Sequence, residues 1–226
     1  MPESTPAIAY PAATVVLLRQ GSSGCEVLLV RRNSRLVFHG GAWVFPGGRL
    51  DPGDYLPQAA DDIVAAARRA AVREAREEAG VCIEAEQLAL FARWITPDFM
   101  PKRFDTWFFA GTDPDQDVCV DGGEIHEHAW MQPTDALSAH ARGEIDLPPP
   151  TFVTIFELAV HRDAADALGA LASGGLKNFV PRICRVPGGA CSLYEGDAGY
   201  DSGNAEIVGP RHRLWMMGSD WRYEKS

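Results

Sequence analysis

The chain has 226 residues, 46% of them hydrophobic and 23% charged, a balance that excludes wholesale disorder. Asp and Glu number 31 against 21 Lys and Arg, a formal net charge of -10, which excludes a general attraction for nucleic acid backbones. At about 150 residues per domain, the length predicts one core domain with an attached region.

No stretch approaches the ~18 uninterrupted apolar residues of a membrane helix. Residues 1–11 carry no basic residue, and Arg19 follows the first apolar run instead of preceding it, an order unlike a signal peptide. Cys25, Cys82, Cys119, Cys184 and Cys191 are scattered, with no CxxC pair. The expectation is a reduced, cytoplasmic protein without structural zinc and with neither a membrane nor a nucleic acid partner.

Taken in order, residues 13–19 (ATVVLLR) and 26–32 (EVLLVRR) read as two strands joined by the turn 21–24, a hairpin by spacing and turn composition. Residues 42–45 form a short apolar run ending in Pro46, Gly47 and Gly48, followed by a Pro- and Gly-punctuated loop to Pro57. A helix is predicted over 60–79, stopped by Gly80 at the left-handed position past its end. Strands are predicted at 88–95, 104–110 and 127–131, then helices at 133–142, 151–162 and 163–171. Residues 178–226 mix short strands with Gly-rich turns. Hairpins combined with helices point to an α/β fold with a mixed sheet.

The predicted helix ends in Arg73-Glu74-Ala75-Arg76-Glu77-Glu78-Ala79-Gly80. Glu74, Glu77 and Glu78 stand at i, i+3 and i+4, so all three project from one face. They lie in the last two turns, where the helix dipole disfavours an anion by ~0.3–1 kcal/mol each. A divalent cation over that face would explain the arrangement, since hard oxygen ligands suit it. The plain alternative is a solvated acidic face in which Arg73 pairs with Glu77. The opposite side carries Ala67, Ala71, Ala75 and Ala79, small enough to pack closely on a sheet. Upstream, Gly47 and Gly48 let backbone approach a metal or phosphate.

FPGGRLDPGD at 45–54 and REAREEAGV at 73–81 resemble the two ends of the Nudix box, GX5EX7REUXEEXGU, where U is apolar. Gly48 fits the opening glycine, and Asp54 falls where the family has Glu. The family has seven residues before its Arg; here eighteen separate Asp54 from Arg73, so eleven are inserted. The stretch from Leu28 through Gly41 to FPGG is similar to the coenzyme A pyrophosphatase signature, with departures at Val30, Asn33 and Val37. The chain is similar, over residues 12–152, to the acyl-CoA diphosphatase branch, which also lengthens the box.

The resemblance implies an α/β/α sandwich with a mixed sheet over residues 1–150. A helical and irregular C-terminal extension, 151–226, packs on the same domain. It implies hydrolysis of a nucleoside diphosphate derivative, above all coenzyme A or an acyl-CoA, with ADP-ribose or NADH as the alternative substrate and a non-catalytic nucleotide sensor as the alternative class. It implies Mg2+ or Mn2+ held by Glu74, Glu77, Glu78 and the Gly47 carbonyl. Glu77, Glu78 and Arg73 then belong to the catalytic set, Arg73 orienting a glutamate, and Glu124 or Glu127 supplies the base. Arg31, Arg32, Arg35 and Gly48 are the substrate-binding candidates, arginine forks being suited to phosphate. Homodimers are common in the family.

Other residues stay open on the sequence. His126 and His128 are spaced as ligands but also as surface residues of a strand. Trp43, Trp94 and Trp107 suit either adenine stacking or core packing. Phe152, Phe156 and Leu158 are placed to cap an acyl or pantetheine arm.

Overall fold

The computed structural model describes residues 7–34, 40–59, 61–112, 116–120 and 122–226. β1 (Ala9–Gly21) is the strand around which the rest assembles. Its ATVVLL segment is apolar on both faces, as suits a strand buried on both sides. Alternation divides it: Ala13, Val15 and Leu17 enter one core, Val16 and Leu18 the other. β2 (Gly24–Arg32) returns antiparallel, with Gly21 opposite Gly24 and Leu18 opposite Val27. This is the hairpin expected from the turn at 21–24.

Beyond Val27, β2 leaves β1, and along its other edge it pairs antiparallel with β7 (Ile125–Met131). The gap between β1 and β2 is filled by two short strands, β3 (Trp43–Val44) against β2 and β4 (Gly47–Arg49) against β1. The FPGG turn therefore sits at the point where two strands part. On the other side β1 runs parallel to β6 (Arg103–Thr112), which pairs antiparallel with β5 (Ala89–Ile95). The main path is β3-β2-β1-β6-β5-β8, a mixed sheet.

α1 (Ile63–Ala79) covers one face of this sheet. It begins later than residue 60 because the Asp62 carboxylate accepts the Ala65 amide at 2.9 Å and caps it there. Gly80 ends it at φ 69, the left-handed conformation expected of that glycine. Ala67, Ala71, Ala75 and Ala79 are fully buried against β1 and β6. The opposite face is covered by α2 (Pro133–Ala141), α3 (Pro149–Leu158) and α4 (Ala164–Ser173). The α/β/α sandwich is thus present.

The C-terminal region carries the helices and short strands expected of it, but the strands assemble into sheets where the expectation was an irregular extension. β8 (Lys177–Phe179) joins the main sheet parallel to β5. β9 (Arg182–Val186), β10 (Gly189–Leu193), β11 (His212–Met217) and β12 (Asp220–Lys225) form a second, antiparallel sheet. Its strands are short and interrupted by glycines, so periodicity is weak in the sequence. What unites them is tertiary: Arg213 and Asp197, both wholly buried, make a two-pronged ion pair at 2.7 and 2.6 Å. Trp94 stacks on Phe179 at 4.0 Å, with Tyr194 edge-on to both, tying this sheet to β5 and β8. The five cysteines are all free thiols. Among the described residues no helix is long and apolar enough to cross a membrane.

Candidate active site

The FPGG turn is held from beneath. The Pro46 carbonyl accepts both the Thr14 hydroxyl at 2.6 Å and the Val15 amide at 2.9 Å. A Cβ on Gly47 would lie 2.5 Å from the Ala13 carbonyl oxygen, and one on Gly48 would overlap the Glu74 carboxylate. Glycine is required at both positions because β4 is pressed between β1 and α1. The Gly47 amide donates to Glu78 Oε2 at 2.9 Å. The contact that Gly47 makes is therefore through its N–H, and Gly48 serves as clearance for Glu74.

Arg73 is the hub of the helix face. Its guanidinium donates to Glu74 at 2.8 Å, to Glu77 at 2.9 Å, to Asp54 at 3.0 Å and to the Arg49 carbonyl at 2.9 Å. The pairing with Glu77 offered as the plain alternative is thus real, but it is one of several. Asp54 is buried in a single turn of 3-10 helix, Pro52–Asp54. Its carboxylate also accepts the Asp51 amide at 2.8 Å, and its carbonyl accepts Arg69 Nε at 2.6 Å. The inserted residues form a further turn, Pro57–Ala59, and lengthen α1 at its start. Asp54 is thereby returned to the helix. Burial works against the charge of Arg73, but its hydrogen bonds to Asp54, Glu74 and Glu77 prevail and hold it firmly protonated.

The carboxylates are crowded. Burial pushes Glu78 up to about 8, against the Gly47 amide and Arg32, which pull it down, and with Glu74 and Glu124 adding repulsion. Burial also raises Glu74, despite Arg73 at its side, and Glu77 and Glu124 raise it further. Hard oxygen donors with unrelieved mutual repulsion fit a divalent cation chemically. Among the described residues, no three His, Cys, Asp or Glu side chains are gathered as around an ion. The positive charge between Glu74 and Glu77 is that of Arg73.

Glu74, Glu77, Glu78, Gly47, Gly48, Arg32 and Glu124 all line one cleft of about 810 Å³. Arg32 Nη2 is 3.8 Å from Glu124, while its Nε is buried without a hydrogen-bond partner. Arg31 and Glu127 are not brought into this cleft. They face each other across β2 and β7, paired at 2.8 Å and about half exposed. Successive strand residues point to opposite faces, so Arg31 and Arg32 part company. Arg35 lies outside the described residues. His126 and His128 are exposed on β7.

The cleft continues from the carboxylates to Trp94, a sequence candidate for adenine stacking, and to residues that are not site candidates on the sequence. Trp94, Phe99 and Met100 line it from β5 and the turn after it, Pro148–Thr151 from the start of α3, and Ile183 and Met216 from the second sheet. Phe152, Phe156 and Leu158 do not line it: Phe152 and Leu158 are buried in the core and Phe156 packs on Tyr223. Trp107 is buried under Arg93, and Trp43 packs at the core's margin. Of the three tryptophans, Trp94 alone reaches the cleft. Ile183 lies in β9, whose five residues are too few for period-2 alternation to show.

Comparison with known proteins agrees with this geometry. The chain is 26% identical over 190 residues to nudix hydrolase 7 of Caenorhabditis elegans, a match covering 67% of this chain and 61% of that protein. It is 32% identical over 118 residues to acyl-coenzyme A diphosphatase NUDT19 of Homo sapiens, covering 49% of this chain and 31% of that one. The chain thus spans about three fifths and under a third of these curated relatives. A crystal structure of a NUDIX hydrolase from Alicyclobacillus acidocaldarius superposes with a TM-score of 0.66 at 25% identity, over 74% of this chain and 98% of the other. A NUDIX domain is matched at residues 9–61 and 62–150, a split that falls inside the inserted segment. With more than half its residues matched, and with both halves of the box joined through Arg73 and Asp54, the chain belongs to the Nudix family.

Proposed function

We propose that this protein is a divalent-metal-dependent pyrophosphohydrolase that cleaves the diphosphate of coenzyme A or an acyl-CoA. Water adds across the P–O–P bridge, and the products are 3′,5′-ADP and phosphopantetheine or its acyl form. The observation that carries the reading is the single cleft with two ends. One end gathers carboxylates beside Arg32, and the other is lined mainly by apolar side chains. The similarity to an acyl-coenzyme A diphosphatase supports it.

Nudix enzymes in general depend on a divalent metal, and Glu74, Glu77 and Glu78 with the Gly47 carbonyl would hold Mg2+ or Mn2+ here. The chemistry that such an ion supplies is polarisation of a phosphoryl oxygen and a lowered pKa for bound water. Arg32, whose side chain lines the cleft and stays partly exposed, binds the diphosphate in this reading. Glu124, which lines the cleft where Glu127 does not, receives the proton of the attacking water. Arg73 holds Glu74 and Glu77 in place and does not itself touch substrate.

The test is a panel of coenzyme A, dodecanoyl-CoA, ADP-ribose and NADH with Mg2+ and with Mn2+, products resolved by mass. Release of 3′,5′-ADP from the coenzyme A compounds is expected. Turnover of ADP-ribose or NADH alone would overturn the substrate, and no turnover of any would return the chain to the sensor alternative.

A further inference from the structure

The second sheet has two unlike faces. Cys184, Cys191, Leu193 and Trp215 pack into a small core of their own. Alternation sends Ile183, Ser192, Leu214 and Met216 the other way. Ser192 is paired with both Ile183 and Leu214, so the strands present these residues side by side. Leu214 is consumed in the main core. Ile183, Ser192 and Met216 line the cleft, and Ile183 and Met216 remain only half-buried.

Opposite this wall lies the turn after β5. Phe99, at its tip, is 65% exposed although it lines the cleft. An aromatic ring left in water at the mouth of a cleft is spare apolar surface, worth roughly 25 cal/mol per Å² if something covers it. Among the lining residues contributed by the β5–β6 region, the start of α3 and the second sheet, the only charged side chain is Lys102. The rest of that lining is mainly apolar, with hydroxyls only at Thr96, Thr106, Thr151, Ser192 and Tyr194. Trp94 Nε1, buried at this wall, makes no hydrogen bond.

We propose that the second sheet is the substrate-selecting wall of the enzyme: Ile183 and Met216 from the sheet, with Phe99 across the mouth, receive an acyl chain attached to the pantetheine end of the substrate. The proposal rests on the coenzyme A reading and adds to it the preference for acylated over free coenzyme A, together with the residues that set it. The occupant follows from continuity, because the apolar arm opens directly into the end where Glu74, Glu78 and Arg32 meet. The volume of about 810 Å³ lies toward the upper end of the ~300–1,000 Å³ of small-molecule sites.

Two measurements on the full chain test it. The first is kcat/KM for coenzyme A and for its acetyl, hexanoyl and dodecanoyl thioesters. A rise of at least tenfold from coenzyme A to dodecanoyl-CoA is expected, and Phe99→Ser and Met216→Trp should abolish the rise while leaving free coenzyme A within threefold of the parent. Phe99 is exposed, so that variant keeps its fold, and thermal melting checks the other. A flat dependence on chain length, or equal losses on free and acylated substrate, overturns the proposal.

The second measurement is calorimetric binding of S-dodecanoyl-pantetheine, a chain without nucleotide or diphosphate. Binding by the parent, weakened at least tenfold in Met216→Trp, is expected. Binding without hydrolysis of any coenzyme A compound would sink the coenzyme A reading and leave the wall standing. Hydrolysis without chain binding would do the reverse.

Discussion

Asp54 and Arg73 stand nineteen positions apart in the chain and meet at 3.0 Å in the fold. The carboxylate is buried and the guanidinium is shared with Glu74 and Glu77. Eleven inserted residues therefore leave the box intact in space: they form a turn and extra helix, and Asp54 comes back to the same face. The shorter side chain of Asp, relative to the Glu of the family motif, is matched by a backbone turn that brings it close.

Replacing Asp54 removes one anchor of a hub. In Asp54→Ala, Arg73 loses its buried partner and the Asp51 amide loses its acceptor, so we expect a stability loss of about 2 kcal/mol. Turnover should fall about tenfold, since Glu74 and Glu77 are then held less firmly. Urea denaturation and steady-state kinetics check this, and a variant unchanged in both would remove Asp54 from the site's support.

Glu78→Gln should separate chemistry from folding. The glutamine keeps the volume and an oxygen to accept the Gly47 amide, while burial already favours a neutral group at this position. Turnover is expected to drop by orders of magnitude with the melting temperature within a few degrees of the parent. Full activity in this variant would take the end of α1 out of the mechanism.

Adjacent arginines should behave oppositely. Arg32 lines the cleft with a partly exposed guanidinium, and losing a charge-assisted bond to phosphate costs about 1.5–3 kcal/mol, roughly 10–100-fold in kcat/KM for Arg32→Ala. Arg31 makes an exposed pair with Glu127, a contact worth about 0–1 kcal/mol. Arg31→Ala should leave kcat/KM within twofold. Equal effects at the two positions would contradict the division that strand alternation makes between them.

The buried Asp197–Arg213 pair sets an acid limit for the second sheet. Burial by itself would raise the Asp197 pKa, but Arg213 and the amides of His212 and Gly199 win and hold it to about 2. An unfolded aspartate titrates near 4. Above that pH both states are ionised and the stabilisation, about 2 kcal/mol, is complete; it is lost as pH falls through 2, because the unfolded chain takes its proton first. Urea midpoints from pH 5 to pH 2.5 should fall more steeply for the parent than for Asp197→Asn. Parallel slopes would mean that Asp197 is not held down. The variant itself should lose about 3–5 kcal/mol at neutral pH, because Arg213 is left buried without its partner.

Local chemistry already determined much of this protein. ATVVLL reads as a strand, the alanines opposite Glu74, Glu77 and Glu78 allow close packing on a sheet, and Gly80 marks the helix end. These features act through neighbours within a few residues, so spacing alone reveals them. The resemblance to the Nudix box extended that reading to the acidic face.

Only the tertiary structure decided the rest. It separated Arg32 from Arg31 by the face each occupies, and it put Glu124, in the bend before β7, on the cleft while Glu127 on β7 pairs with Arg31 outside it. It gave Asp54 a partner nineteen positions away, and it built a second sheet from strands too short to show a period. It also replaced Phe152, Phe156 and Leu158 as cleft residues with Ile183, Met216 and Phe99. The reason is common to all of these: such contacts join segments far apart in the chain. Closing those loops is driven by buried surface and paired charge that no single segment contains.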